Sequence, residues 1–191
     1  MPCTYWCPWT YVNYNTPERW AELERYRRRE HKMLRYLTAF IIESLDENPD
    51  LAIYWEWPRK CDGCKQTVML EFEAALSLRG FHWDSASIDG CRYDMRSTKG
   101  NLLKKQWSIR STDMAFVSEF KNKTCVGGHD HDNIQGIESS RSAFYPWKLC
   151  VSLAQHWKQR LLKPLVQGQT LLRPEAESIE LQILTGGSLG R

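Results

Sequence analysis

The sequence predicts an α/β fold, a partial doubly wound sheet lacking the first half that would bind a cofactor. Three observations carry this. Segments with helical and strand-type patterning follow one another as helix, strand, helix, strand, strand, helix, the order of helices packed on a sheet. The chain opens MPCTYWCPW, whose aromatic density reads as the interior of a domain with its beginning missing, because free N-termini are usually polar. No GxGxxG or comparable glycine turn precedes a helix, so the usual cofactor-phosphate cradle is absent.

Residues 1–17 form an aromatic loop that ends in a helix start, with Thr16 as N-cap and Pro17 in the first helical position. A long helix is predicted from Glu18 to Leu45, where Trp20, Leu23, Tyr26, Met33, Leu34, Leu37, Ile41 and Leu45 recur every three or four residues. Its basic run RYRRREHK reads as a solvated face. LAIYWEW is a buried strand, PRKCDGCKQ a turn-rich loop, and TVMLEFEAALSLR a helix stopped by Gly80. FHWDSASID and KQWSIRS are strands joined by an excursion, and a helix follows around Thr112 to Phe120. The polar, glycine-containing stretch 121–142 is a long loop, of a length that compact domains reserve for function or leave disordered. FYPWKLCVSLAQHWKQRLL is the last helix, with Pro146 near its start. Residues 1–163 are thus read as the domain and 164–191 as a weakly structured tail.

Composition narrows the class. Hydrophobic residues make up 42% and charged residues 26% of 191 residues, values that exclude a disordered chain and suffice for a core. No run approaches the about 18–20 apolar residues of a membrane span, and no secretory signal pattern opens the chain. Seven cysteines is an odd number, in a chain too large to need disulfide staples. Thiols, with or without a metal, and an intracellular, nuclear or cytoplasmic location are the expectation. The formal charge of +3 and nine tryptophans permit nucleic-acid contact by charge and stacking.

Two residues suggest covalent chemistry. Cys3 stands in a loop ahead of a helix, whose positive end favours thiolate. Glu56 stands at the end of the next strand, at the sheet edge where α/β proteins place ligands. The motifs that accompany them run in the order MPC, YWEWP, IDGCRYDM, KKQWSIRST, TCVGGHDH and FYPWKLC. In this order, over roughly residues 2–158, the chain resembles a divergent branch of DNA cytosine-5 methyltransferases found in phages and retrotransposon-type mobile elements. That resemblance implies a Rossmann-like methyltransferase sheet, with Cys3 as nucleophile toward the cytosine ring and Glu56 steadying a ring nitrogen. Such enzymes flip the target base into a pocket. Glu56 sits in EWP, where the family has Glu-Asn-Val, and the family's basic segment has only Arg92 and Arg110 as candidates here. The S-adenosylmethionine site is incomplete, so the chain alone is expected to be catalytically inactive. A separate cofactor-binding chain would complete the enzyme in the alternative reading.

A second constellation points to a metal. Cys125, His129 and His131 lie within seven residues, and Cys61 and Cys64 form a CxxC upstream. Zinc takes four such nitrogen and sulfur ligands in a tetrahedron. The sharper form is a local site of Cys125, His129 and His131 with one outside cysteine, the alternative being a polar loop with histidines on phosphate, backbone or water. This supports a third reading, a zinc-stabilised interaction module. Cys91 and Cys150 read as core thiols, His31 as part of the basic helix face and His156 as packed. Lys104, Lys105 and Arg110 are candidates for a nucleic-acid backbone. A sheet missing its first strands would have an unpaired edge, so a partner chain or self-association is expected to cover it.

Overall fold

In the computed structural model, residues 5–166 are described, and the chain divides between Leu149 and Cys150 into two units. The first carries all the sites below. It opens with a short helix, α1 (Thr10–Asn13), followed by the long α2 (Pro17–Glu47), strand β1 (Tyr54–Pro58) and helix α3 (Thr67–Leu78). Then come β2 (Asp84–Asp89), β3 (Leu102–Leu103), β4 (Gln106–Ser111), α4 (Met114–Phe120), β5 (Asn122–Lys123), β6 (His131–Asp132), α5 (Ile137–Arg141) and the start of α6 (Trp147–Val166), whose remainder from Cys150 belongs to the second unit. Single 3-10 turns stand at Asp62–Lys65 and Gly90–Tyr93.

Local chemistry explains the helices. Thr16 caps α2 by accepting the Arg19 N–H, and Pro17 supplies the fixed φ of a first-turn residue. Leu23, Leu34 and Leu45 are buried; they stand eleven residues apart, three turns along one face. Asp113 caps α4 by accepting from Ala115 and Phe116. At the end of α3, Gly80 takes the positive φ of 79° that a side chain would resist.

The main sheet has the order β1-β4-β2-β5. β4 runs antiparallel to both neighbours, while β2 and β5 are parallel. β1–α3–β2 is therefore a split βαβ unit with β4 inserted between its strands. The α/β class expected from the sequence is present, and the strand directions are mixed where a doubly wound sheet would keep them parallel. The reason is the connection from β2 to β4. Residues 90–105 contain no crossover helix, and without one the chain returns beside β2 in the opposite direction.

Two cores flank this sheet. On one face Trp55 and Trp57 pack with Leu34 and Leu45 of α2, Val68, Met69, Phe72 and Leu76 of α3, and Trp6 from the opening segment. That segment is fastened by Asp62, whose N–H donates to the Trp6 carbonyl, and by Arg27, which donates to the Tyr5 carbonyl. On the other face Phe116 stacks on Phe120 and meets Tyr54 edge-on, with Ala86, Ile88, Trp107 and Ile109 buried in the sheet. α6 continues through Pro164 to Val166; the rest of the expected tail lies outside the described residues. No helix among the described residues is long and apolar enough to cross a membrane.

Candidate metal centre

The two parallel strands β2 and β5 end side by side, and the chain turns out of each into a cysteine. Cys91 follows β2 in the 3-10 turn, and Cys125 follows β5. Asp89, only 1% exposed at the end of β2, fixes their relation: its Oδ2 accepts the Cys125 N–H at 2.8 Å, and its Oδ1 accepts from Gln106. Arg59 stands 4.0 Å from the same carboxylate. From Cys125 the chain doubles back through Gly127 and Gly128, at φ 80° and 77°. Two successive left-handed residues are cheap only for glycine, and this turn aims His129 at the thiol. β6 pairs with β3 and sets His131, while Asp132 beside it accepts from Ser97 and Asn101.

The result is a cluster of Cys91, Cys125, His129 and His131, with ligand atoms all within 4.8 Å of one another. Cys125 Sγ lies 3.5 Å from His129 Nε2 and 3.6 Å from His131 Nε2, and the two Nε2 atoms are 3.0 Å apart. A tetrahedron with zinc–sulfur bonds of about 2.3 Å and zinc–nitrogen bonds of about 2.0–2.1 Å has S···N edges of about 3.6 Å and N···N edges of about 3.3 Å. The ligand atoms of Cys125, His129 and His131 already stand near those separations. The Gly127 N–H also donates to Cys125 Sγ at 3.4 Å. Without a metal, burial and the neighbouring Cys125 thiol push the Cys91 thiol up to about 11. Burial and the second imidazole lower the His131 pKa, keeping the ring neutral, the form that ligates. These four residues can hold a metal ion.

Cys91, read from sequence as a core thiol, is the outside cysteine of the cluster. Its burial is real, at 8% exposed, and a thiol beside apolar residues in sequence gives no sign of a partner 34 residues away. Cys61 and Cys64 are not in the cluster. Cys61 is buried in the aromatic core, its sulfur accepting from Gly63, and Cys64 donates to the Cys61 carbonyl. The CDGC turn instead lets Gly63 sit flat against Trp57; a Cβ there would come within 2.6 Å of the ring. Asp89 also escaped the sequence reading, since an Asp closing a strand is usually a turn residue.

The other predicted residues disperse. Cys3 lies outside the described residues. Glu56 is half-buried on β1, opposite Ile109. Burial raises its carboxyl pKa, opposed by a hydrogen bond from Tyr145 and by Lys105. Arg110 is held by Glu73 of α3, which removes it from the set of uncommitted cations. Arg92 and Lys104 are exposed, and Lys104 acts electrostatically on Cys91 and His131 rather than on Glu56. Lys104 and Lys105 are thus divided between two places, as alternation in an extended segment requires. No family model matches the chain, and neither a curated protein nor a solved structure does.

Proposed function

We propose that the chain is a zinc-stabilised, methyltransferase-like α/β module of mobile-element type, catalytically incomplete by itself, that contacts nucleic acid. The observation that carries the zinc reading is the four-residue cluster. Two sulfurs and two imidazole nitrogens gathered within 4.8 Å of one another suit zinc better than an oxygen-seeking cation. Four protein ligands fill a tetrahedron and leave no open position for water, which is the pattern of a structural site. The metal would tie the turn after β2 to the loop after β5, where two-residue strands and few apolar side chains otherwise hold the chain.

Glu56 supports the methyltransferase-like part and the alternative of an enzyme completed by a separate cofactor-binding chain. A carboxyl that burial makes easier to protonate is suited to hydrogen-bond a ring nitrogen, the role implied by the resemblance. Cobalt(II) titration of the full chain tests the metal reading. Intense visible absorption from tetrahedral, thiolate-bound cobalt is expected; the faint colour of octahedral oxygen ligation would contradict it. Binding of single-stranded DNA that weakens steeply with salt tests the nucleic-acid reading, and no binding at low salt removes it.

A further inference from the structure

We propose that the cleft between residues 93–96 and residues 141–148 is a nucleotide-binding site, taking one nucleotide with its base on an exposed ring and its phosphate among arginine and lysine. This deepens the nucleic-acid part of the proposed function and is independent of the metal centre. It uses none of Lys104, Lys105 or Arg110.

The cleft has a volume of about 590 Å³, within the roughly 300–1,000 Å³ of small-ligand sites. Two large rings stand open at it: Phe144 is 78% exposed and Trp147 79%. Adjacent rings left to solvent are a cost unless something covers them. Between them in sequence Tyr145 is fixed, edge-on to Trp107 at 5.3 Å and hydrogen-bonded to Glu56, so this wall has a firm base. Charge supplies the second half of the match. Arg96, Arg141 and Lys148 face one carboxylate, Asp94, in the lining, and three positive charges less one negative leave +2. Asp94 holds Arg96 at 2.7 Å and Lys148 at 3.0 Å, which gathers the two cations on one side of the cleft. Trp147 and Lys148 open α6, a helix of 20 residues, whose N-terminal end adds positive potential. A ligand that is flat and aromatic at one end and anionic at the other satisfies both features. A plain anion leaves the rings uncovered, and an apolar ligand leaves the net positive charge of the lining unanswered.

The test uses the full chain with its metal and a labelled oligothymidylate of ten nucleotides at about 50 mM salt, followed by fluorescence anisotropy. Thymidine monophosphate, inorganic phosphate and a duplex of equal length serve as competitors. The expected result is binding that Trp147→Ala and Arg141→Ala each weaken at least about fivefold, the low end of what one stacked base contributes. Competition by the monophosphate as well as the strand assigns the site to the nucleotide unit; competition by the strand alone assigns it to nucleic acid, and both support the cleft. Equal competition by inorganic phosphate, or wild-type affinity in both variants, overturns it. If neither the strand nor the monophosphate binds, both this site and the nucleic-acid reading fail. If the strand binds with a steep salt dependence but ignores both substitutions, only the cleft fails. Because either variant could misfold, photocrosslinking of a 4-thiothymidine strand to the wild-type chain gives a separate readout. The adduct is expected on the tryptic peptide spanning residues 142–148, and an adduct confined to other peptides contradicts the proposal.

Discussion

Gly63 and Trp57 show how one missing methyl group shapes the molecule. The indole ring occupies the space where a Cβ would stand, so Gly63→Ala must push a buried ring or the 3-10 turn aside. Overpacking of this kind costs about 1–3 kcal/mol, and denaturant melts of the variant are expected to show a loss in that range. An unchanged midpoint would mean the turn is looser than described. Glu56 gives a pH signature. Its folded carboxyl holds a proton to higher pH than it would in the unfolded chain, because burial raises its pKa. The folded state then binds more protons than the unfolded one across that interval, and stability falls as pH rises from the ordinary carboxylate range through the raised value. Glu56→Gln removes this slope, so its stability from pH 4 to 7 is expected to be flatter than that of the wild type. Parallel profiles would place the carboxyl in a more solvated setting.

At the scale of elements, the long helix α2 depends on its cap. Thr16→Ala removes the acceptor for the Arg19 N–H and is expected to cost about 1 kcal/mol, read as a lower melting midpoint with the same baselines. Most elements were legible in the sequence because their signals are local. Thr16-Pro17 marks the start of α2, Gly80 the end of α3, and alternation marks β2 and β4. Helix α1, inside the opening stretch read as a loop, and β5, β6 and α5, inside the stretch 121–142 read as one long loop, were not, because pieces of two to five residues carry too little periodicity to signal themselves. Two further features were missed. Trp20 and Met33 share the helical spacing of the core positions yet stay 38% and 40% exposed, since periodicity reports a face and not how much of it a neighbour covers. The direction of β4 depends on what connects it to β2, and a 16-residue excursion is compatible with either direction until the absence of a helix in it is known.

Over the whole molecule, the candidate metal centre joins pieces that sequence distance separates. Cys125, His129 and His131 stand in one short stretch and were legible as a ligand set. Their partner could not be chosen from sequence, because the CxxC at Cys61 and Cys64 has the more familiar spacing and Cys91 has none. The parallel pairing of β2 with β5 decides between them, bringing Cys91 and Cys125 out at the same end of the sheet. Removing the metal is therefore expected to act locally first. Hydrogen exchange should accelerate across residues 122–132, while α2 and α3, held by the aromatic core, keep their protection. Uniform acceleration would mean that the centre supports the entire fold.

The most direct test of this account is the zinc content of the full chain, purified without chelator, beside Cys91→Ser and Cys64→Ser variants. About one zinc per chain is expected in the wild type and in Cys64→Ser, and a clear loss in Cys91→Ser. Less than about half an equivalent in the wild type, or full zinc in Cys91→Ser with loss in Cys64→Ser, would contradict it.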